Sequence, residues 1–347
     1  MIKGLLTSMP GNRWQNHRWI VTFGIAVLLL PVVMEDRYYL HMAVTVGLMA
    51  YLTMAWNIVG GLAGQDSFGH AAFIGVGAYT STLLFIHYQI TPWLGMLAGG
   101  VLAVLLSMVV GIPCFRLRGT FFSLSTLALA EVVRIIVINT ETLGPFDVRG
   151  AAGILVPLKG NMPWLFQFND KIWYYYIIWG MTMLVYYITY RLKTSKYGLF
   201  LAAVADDEEA AQANGVNVLK AKMLALVISA FLAALGGTFY AQFYRSVDPG
   251  NILSIPFSIE LVLLGIVGGT KSIYGPIVGA VLLTPIGEYA RVYLGGGFAG
   301  LHKVVYGLVL VGIILFLPNG LTSLPSVIRR RYRRAADGSG AKTAPKT

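Results

Sequence analysis

The chain has 347 residues, of which 56% are hydrophobic and only 12% charged, and its mean hydropathy is +0.69. Because soluble domains carry about 25% charged residues, this composition excludes a soluble enzyme and a soluble nucleic-acid-binding domain, even though the net charge is +11. The composition indicates an all-α polytopic membrane protein.

Ten apolar segments follow one another along the chain, and most approach the length of about 20 residues that a helix needs to cross a bilayer. In chain order they are Trp19–Met34, Leu40–Val59, Ala71–Tyr88, Pro92–Cys114, Thr120–Ile138, Ile172–Tyr190, Met223–Phe243, Pro256–Gly268, Ile273–Leu294 and Leu301–Leu317. The first and the eighth are short. The pattern predicts about ten transmembrane helices.

The distribution of basic residues predicts that both termini are cytoplasmic. With an inner N-terminus, the inner segments hold 18 Lys and Arg residues and the outer segments hold 5, which agrees with the positive-inside rule. Much of this contrast comes from the N-terminal tail, residues 1–18, and from a basic C-terminal tail, residues 322–347, which is expected to be disordered.

Two polar segments interrupt the apolar pattern. The outer one, residues 139–171, is long enough to fold on itself or to receive a partner. The inner one, residues 195–219, contains an acidic run that ends in Asn214-Gly215. Acids favour a helix N-terminus and Asn-Gly favours a C-terminus, so this run predicts a short capped helix, either a solvated connector or an element that docks into a partner.

Ten spans divide into a 5+5 arrangement, in which the two halves insert with opposite orientation, as in many transporters. The gap between spans two and three then corresponds to the gap between spans seven and eight. Polar side chains in these gaps are candidates for a translocation path; they are Gln65, Ser67, His70, Ser254, Ser258 and Glu260. The same gaps, which are rich in small residues, could instead serve only close helix packing.

Charge inside the predicted spans is scarce. Glu131 and Arg134 lie three residues apart on one helical face, where they can form an ion pair. Such a pair is either functional or a structural element that holds helices together.

Nucleotide and metal chemistry find little support in the sequence. The run Gly265–Ser272 resembles a phosphate-binding loop, but Thr270 stands where the pattern requires a glycine before Lys271, and no strand precedes the run. The five histidines are scattered and form no HExxH motif. We expect neither a catalytic site nor a metal site, and ATP chemistry would come from another chain.

Several ordered stretches carry a family pattern. They are Gly64–Tyr79, Arg118–Ala128 with Glu131 and Arg134, Ala205–Asn217, Gly268–Pro276 and Leu317–Leu321. Together they resemble the LivM-type permeases of branched-chain amino acid ABC importers, which are binding-protein-dependent inner-membrane components.

This resemblance implies a permease domain over residues 19–321, a bacterial inner-membrane location and an outer loop facing the periplasm. It implies a LivH-type sister permease, two ATPase subunits of the LivG and LivF type, and a periplasmic or lipid-anchored amino-acid-binding protein. ATP and Mg would be bound by the ATPases and not by this chain. Their contact would be a coupling helix, to which Asp207, Glu208, Glu209, Ala210, Ala211 and Gly215 are assigned.

Two alternatives stay open for the function. Related permeases carry urea, short amides or other amino acids, so the branched-chain substrate is less firmly indicated than transport itself. A stand-alone secondary transporter would instead use Glu131, Glu260 and His70 as a titrating relay.

Overall fold

The structure is a computed structural model that describes residues 30–31, 36–294, 304, 307–308, 311–313, 315 and 320–323. The predicted first span and the N-terminal tail lie outside the described residues, apart from positions 30–31. The predicted tenth span and the C-terminal tail lie outside them as well, apart from a few isolated positions.

Helices make up most of the described chain. They are α1 (Arg37–Asn57), α2 (His70–Tyr88), α3 (Pro92–Cys114), α4 (Thr120–Ile138), α5 (Lys171–Thr194), α6 (Lys196–Asp206), α7 (Glu208–Ala213), α8 (Val218–Tyr244), α9 (Pro249–Ile252), α10 (Ile255–Gly268) and α11 (Gly275–Leu294). A π-helical turn, Ile58–Leu62, extends α1. Three 3₁₀ turns lie at Gly150–Ala152, Pro163–Leu165 and Leu321–Ser323.

Five of the described helices are long and apolar enough to cross a membrane: α1 with its π turn, α2, α3, α4 and α8. Helix α10 is apolar but has only 14 residues. Helices α5 and α11 have 24 and 20 residues but a lower apolar content. The multi-pass helical class is therefore confirmed, whereas the count of ten spans, the 5+5 repeat and the sidedness of the termini stay predictions.

Helices α2, α3 and α8 form the centre of the fold, and glycine lets their backbones touch. A Cβ atom at Gly237 of α8 would overlap the carbonyl oxygen of Ile74 on α2, and one at Gly77 would overlap that of Ala234. At Gly99 of α3, a Cβ would lie 3.0 Å from the Cα of Gly77. Small residues at helix interfaces permit this approach in membranes, where packing must replace the hydrophobic effect.

The long polar segment 139–171 folds on itself and onto the end of α8. Strands β1 (Thr142–Leu143) and β2 (Phe146–Asp147) form an antiparallel hairpin. Strand β3 (Ile154–Leu155) pairs with β4 (Ser246–Val247), which follows α8. Contacts between aromatic rings anchor the segment. The rings of Phe166, Phe168, Tyr174 and Phe239 are buried, and that of Phe243 is half-buried.

Contacts between the described polar segments fall into two sets, one at each end of the helices. At one end, residues 60–69, 115–119, 193–217 and 269–274 approach one another, as in the hydrogen bond from Lys193 to the carbonyl oxygen of Lys271. At the other end, residues 87–91, 139–170 and 245–254 meet. This separation is the arrangement expected when successive long helices run from one end to the other.

Candidate functional site

A break between α1 and α2 forms the first part of the candidate site. The helix widens into the π turn at Ile58–Leu62, and the chain is then non-helical until His70. Gly64 has a positive φ of 65°, a conformation that glycine adopts without strain. A Cβ at Gly60 would overlap the Trp56 ring. Gly60 thus makes room for the Trp56 ring inside the π turn, and the Gly64 conformation breaks the helical path after it. π turns of this kind occur often at functional positions.

Four backbone amides at the break have acceptors inside the chain. The amide of Gln65 donates to the carbonyl of Val59 at 3.1 Å, and that of Gly69 to the Ser67 hydroxyl at 3.4 Å. Other helices supply two more acceptors: Thr126 Oγ1, 3.1 Å from Phe68 N, and Ser258 Oγ, 3.0 Å from Ala71 N. The break is therefore closed in this conformation, because these amide donors have no vacancy for a ligand.

The hydrogen bonds of His70 define its tautomer. Its Nε2 lies 2.7 Å from Ser229 Oγ, which lies 2.6 Å from the carbonyl oxygen of Ala55. A carbonyl only accepts, so Ser229 donates to Ala55, and His70 must donate from a protonated Nε2 to Ser229. The Nδ1 atom is then an acceptor, buried and without a hydrogen-bond partner among the described residues.

The segment between α8 and α10, which is the second of the two predicted gaps, also packs against the first turns of α2. Leu253, after α9, packs where a side chain on Gly75 would be. Ser258 accepts from α2 as described above, whereas Ser254 caps α10 by accepting from the amide of Phe257 at 3.3 Å. Glu260 is half-buried and has no hydrogen-bond or ion-pair partner in the described part of the chain.

The six translocation candidates thus separate into groups. Ser67, His70 and Ser258 are each 1% exposed and lie together around the first turn of α2. Gln65 turns away from them and donates to Glu208 of α7 at 3.1 Å. Ser254 serves as a helix cap, and the charged groups that act on Glu260 are Glu288 and Arg291 of α11. This closed conformation agrees with the packing interpretation, and a role in the path stays a prediction.

A small cavity lies beside the break. Ser67 and Thr126 are the hydroxyl-bearing residues of its lining, and most of the remaining wall comes from apolar side chains of α2, α3, α4 and α8. Its lining is Ser67, Gly69, Ala72, Phe73, Val110, Gly111, Cys114, Thr126, Leu129, Ala130, Val133 and Leu226. An apolar wall with a few polar groups can accept an apolar side chain once the cavity enlarges.

The acidic run forms the short helix that its caps predict. Asp207 is extended at φ −158° and accepts from the amides of Glu209 at 2.9 Å and Ala210 at 3.0 Å. Gly215, with φ 82°, follows the helix. The segment 195–219 as a whole is divided: α6 precedes α7, and α8 begins at Val218. The division occurs because the cap at Asp207 starts a new helix.

The residues assigned to the coupling helix lie on two sides of it. Glu209, Ala210 and Gly215 are exposed, as is the cap Asp207. Ala211 is buried at 4% exposure, and the Glu208 side chain is only 22% exposed because it forms an ion pair with Lys222. The exposed side is available to a partner, whereas the buried side is held by the protein itself.

The predicted ion pair on α4 is present. Arg134 Nε donates to Glu131 Oε2 at 2.8 Å, and a second bond joins the other guanidinium and carboxylate atoms. Helix α4 itself is little covered: only 17% of its apolar window is buried within the chain. Among the described residues the pair joins no second helix, so the packing role considered from the sequence stays a prediction.

Sequence reasoning overlooked Lys222, Ser229 and Thr126 as parts of the site. Lys222, Leu226 and Ser229 follow the spacing of one helical face, and all three are buried. That spacing was a usable signal, since a lysine on an otherwise apolar face requires a counter-charge. Thr126 had no comparable signal, because its partner is a backbone amide 58 positions away.

These features define a class: a multi-pass helical membrane protein in which a closed helix break is connected to an exposed, capped helix at the same end. Residues 38–314 match the family described as the permease component of branched-chain amino acid transport systems. The chain belongs to this family.

Named relatives agree. The chain is 26% identical to the high-affinity branched-chain amino acid transport system permease protein LivM of Escherichia coli (strain K12), over 98% of this chain and 82% of the relative. The LivM protein of Salmonella typhimurium (strain LT2) is also 26% identical, over 92% and 78%. The LivH permease of that organism is 24% identical, over 80% and 92%. No solved structure matches the chain significantly.

Proposed function

We propose that the chain is the transmembrane permease subunit of an ATP-driven, binding-protein-dependent importer of branched-chain or other hydrophobic amino acids. The family match over residues 38–314 carries this proposal. The chain would form half of the translocation path, and a LivH-type sister permease would form the other half. Two LivG- and LivF-type ATPases and an amino-acid-binding protein would complete the importer.

The exposed side of α7 supports an ATPase contact. The helix is short, capped at both ends and accessible through Glu209, Ala210 and Gly215. It lies at the same end of the molecule as the break at residues 60–69. Under the positive-inside rule, the basic segments predict that this end is cytoplasmic, together with both termini of a ten-span, 5+5 arrangement.

The closed break supports a gating role. Ser67, His70 and Ser258 are buried together in this state, and the chain just before His70, residues 63–69, is non-helical. Opening would free their polar atoms and enlarge the adjoining apolar cavity. An ATPase cycle can drive that change only through a difference in affinity between the two states.

The first test is co-purification of the tagged chain from its native membranes in a gentle detergent, with mass spectrometry of the associated proteins. We expect two ATPases that contain phosphate-binding loops and a second permease. A known ABC importer, purified in parallel, shows that the detergent preserves such assemblies. A chain recovered alone under those conditions would contradict the proposal and favour a stand-alone secondary transporter.

The second test identifies the substrate class. The purified complex is placed in liposomes, and uptake of leucine, urea and acetamide is measured with ATP and with the binding protein. We expect leucine uptake that requires both. ATP-dependent uptake of urea or acetamide, without uptake of leucine, would support the assignment as an importer and contradict the assignment of an amino acid as its substrate.

A further inference from the structure

Lys222 is a buried cation on a transmembrane helix, and it is held by an ion pair. It lies near the start of α8, and its side chain is only 1% exposed. Its ammonium group forms an ion pair with Glu208, and it lies 5.8 Å from the centre of the Phe115 ring. No other carboxylate among the described residues contacts it. Because an unpaired buried charge is strongly unfavourable, Lys222 keeps Glu208 beside it.

Glu208 is shared with a third element. The Oε1 atom that binds Lys222 also accepts from Gln65 Nε2 at 3.1 Å. Gln65 is 7% exposed, and its backbone N–H donates to the carbonyl oxygen of Val59 in the π turn. One carboxylate oxygen therefore joins α8, α7 and the loop of residues 63–69.

Backbone packing reinforces this junction. A Cβ atom at Gly64 would lie 3.0 Å from the Cβ of Ala205, near the end of α6. The loop of residues 63–69 therefore touches α6 directly at Ala205, two residues before the cap Asp207 of α7. No layer of side chains separates them that could absorb a movement.

The neighbouring ion pair on α7 is of a different kind. Arg118 donates to Glu209 at 2.6 Å, but the two side chains are 61% and 77% exposed. Exposed pairs contribute little and exchange readily with water. Helix α7 is therefore held firmly on its Glu208 side and loosely on its Glu209 side.

We infer that Lys222 is a positioning residue for transport: through Glu208 and Gln65 it ties α7 to the loop of residues 63–69. A partner that displaces α7 would then move the loop that closes the first turn of α2. This inference rests on the proposed function, because it needs a subunit that acts on α7. It adds a residue to the coupling path that lies on neither the exposed docking side nor the translocation path.

The test uses the whole importer in proteoliposomes, with radiolabelled leucine as the probe and ATP hydrolysis measured in parallel. We compare Lys222→Met with Arg118→Met. The second variant removes the exposed ion pair between Arg118 and Glu209, the residue next to Glu208. Per assembled complex, Lys222→Met should lower leucine uptake by roughly tenfold or more while ATP hydrolysis continues. Arg118→Met should stay within about twofold of the unmodified complex.

A second variant covers the case in which Lys222→Met fails to assemble. Gln65→Leu leaves the buried ion pair intact and removes only the link to the loop. It should assemble normally and lose uptake by about tenfold, because a hydrogen bond to a charged group is lost. Uptake by Gln65→Leu within about twofold of the unmodified complex would overturn the inference.

The outcomes separate a coupling role from a structural one and from failure of the proposed function. A structural role would lower ATP hydrolysis, uptake and the amount of complex in proportion, and that result would also overturn the inference. Failure of the proposed function would already appear in the unmodified chain, as absence of ATP-dependent uptake. Continued hydrolysis without uptake in Lys222→Met, whose residue is not a translocation-path candidate, is the result that the coupling role predicts.

Discussion

The ring proton of His70 lies on Nε2, because the hydroxyl hydrogen of Ser229, which packs against the ring, is donated elsewhere. Ser229 donates to the carbonyl oxygen of Ala55, so the histidine donates from Nε2, and Nδ1 is left as a buried acceptor. A buried acceptor without a partner costs free energy in the closed state. If the break opens during transport, this atom gains access to water or to a donor on the substrate.

We therefore expect His70→Leu to slow transport and leave assembly intact. Loss of the bond to Ser229 corresponds to about 1 kcal/mol, or roughly a fivefold change in rate. The measurement is the initial rate of uptake, normalised to the amount of complex recovered with the ATPases. His87→Leu, at the exposed end of the same helix, is the control. Equal rates for both variants would show that His70 only packs.

Gly215 has a conformational role that can be separated from packing. Its φ is 82°, and a Cβ there would meet no atom within 4 Å. Any effect of substitution therefore comes from the backbone, where the left-handed conformation costs other residues about 1–2 kcal/mol.

We expect uptake to fall in the order Gly215→Asn, Gly215→Ala, Gly215→Val, since asparagine tolerates this conformation and valine does not. The amount of chain in the membrane, measured by immunoblot, should be the same for all three. Full uptake by Gly215→Val would contradict an essential conformation at the end of α7.

At the scale of elements, the approach of α2 and α8 depends on residues without side chains. Gly237 lies against the backbone of Ile74, and Gly77 against that of Ala234. A side chain at either position must move a helix and not merely a neighbouring side chain. Overpacking of this kind typically costs about 1–3 kcal/mol, and occasionally more.

Gly237→Val should accordingly lower the thermal stability of the detergent-purified protein and its folded yield, by the overpacking energy of about 1–3 kcal/mol or more. Gly180→Val is the matched control, because Gly180 is exposed in the middle of α5 and a Cβ there would meet nothing within 4 Å. The measurement is the temperature of aggregation followed by size-exclusion chromatography. Equal stability of the two variants would show that the helices do not approach as described.

The boundaries of single helices were predictable because they depend on local signals. The predicted bounds of α3 and α4 agree with the structure at both ends, since Thr91-Pro92 and Gly119-Thr120 begin them and polar turns end them. The division of residues 195–219 was not foreseen. It depends on the extended backbone at Asp207, which the contact between its carboxylate and the amides of α7 stabilises.

At the scale of the whole molecule, polar contacts separate into two ends, and the basic residues predict which end is cytoplasmic. The residues around Gln65 and Glu208 belong to one end, and the pairing of β3 with β4 belongs to the other. The positive-inside rule predicts that the end with Gln65 and Glu208 is the cytoplasmic one.

Cysteine labelling tests that orientation. In a Cys114→Ala background, Gln212→Cys and Leu158→Cys place single thiols at exposed positions of opposite ends. A membrane-impermeant maleimide should label the thiol at position 158 in intact spheroplasts, and the thiol at position 212 only after permeabilisation. Each variant must first transport leucine, which shows that it is folded.

Two results would contradict this topology. The reverse pattern of labelling would invert the orientation and place α7 outside the cell, away from any ATPase. Labelling of both positions from one side would contradict the separation of the two ends.

The sequence by itself determined the membrane class, most helix bounds and the capped helix at Glu208–Ala213, because hydropathy, caps and glycines act over a few residues. Only the tertiary structure decided that the break before α2 is closed, that Gln65 faces α7, and that Lys222 is buried against Glu208. Those facts depend on contacts between residues far apart in the chain. A single charge shows no partner until the helices that carry the two groups are packed together.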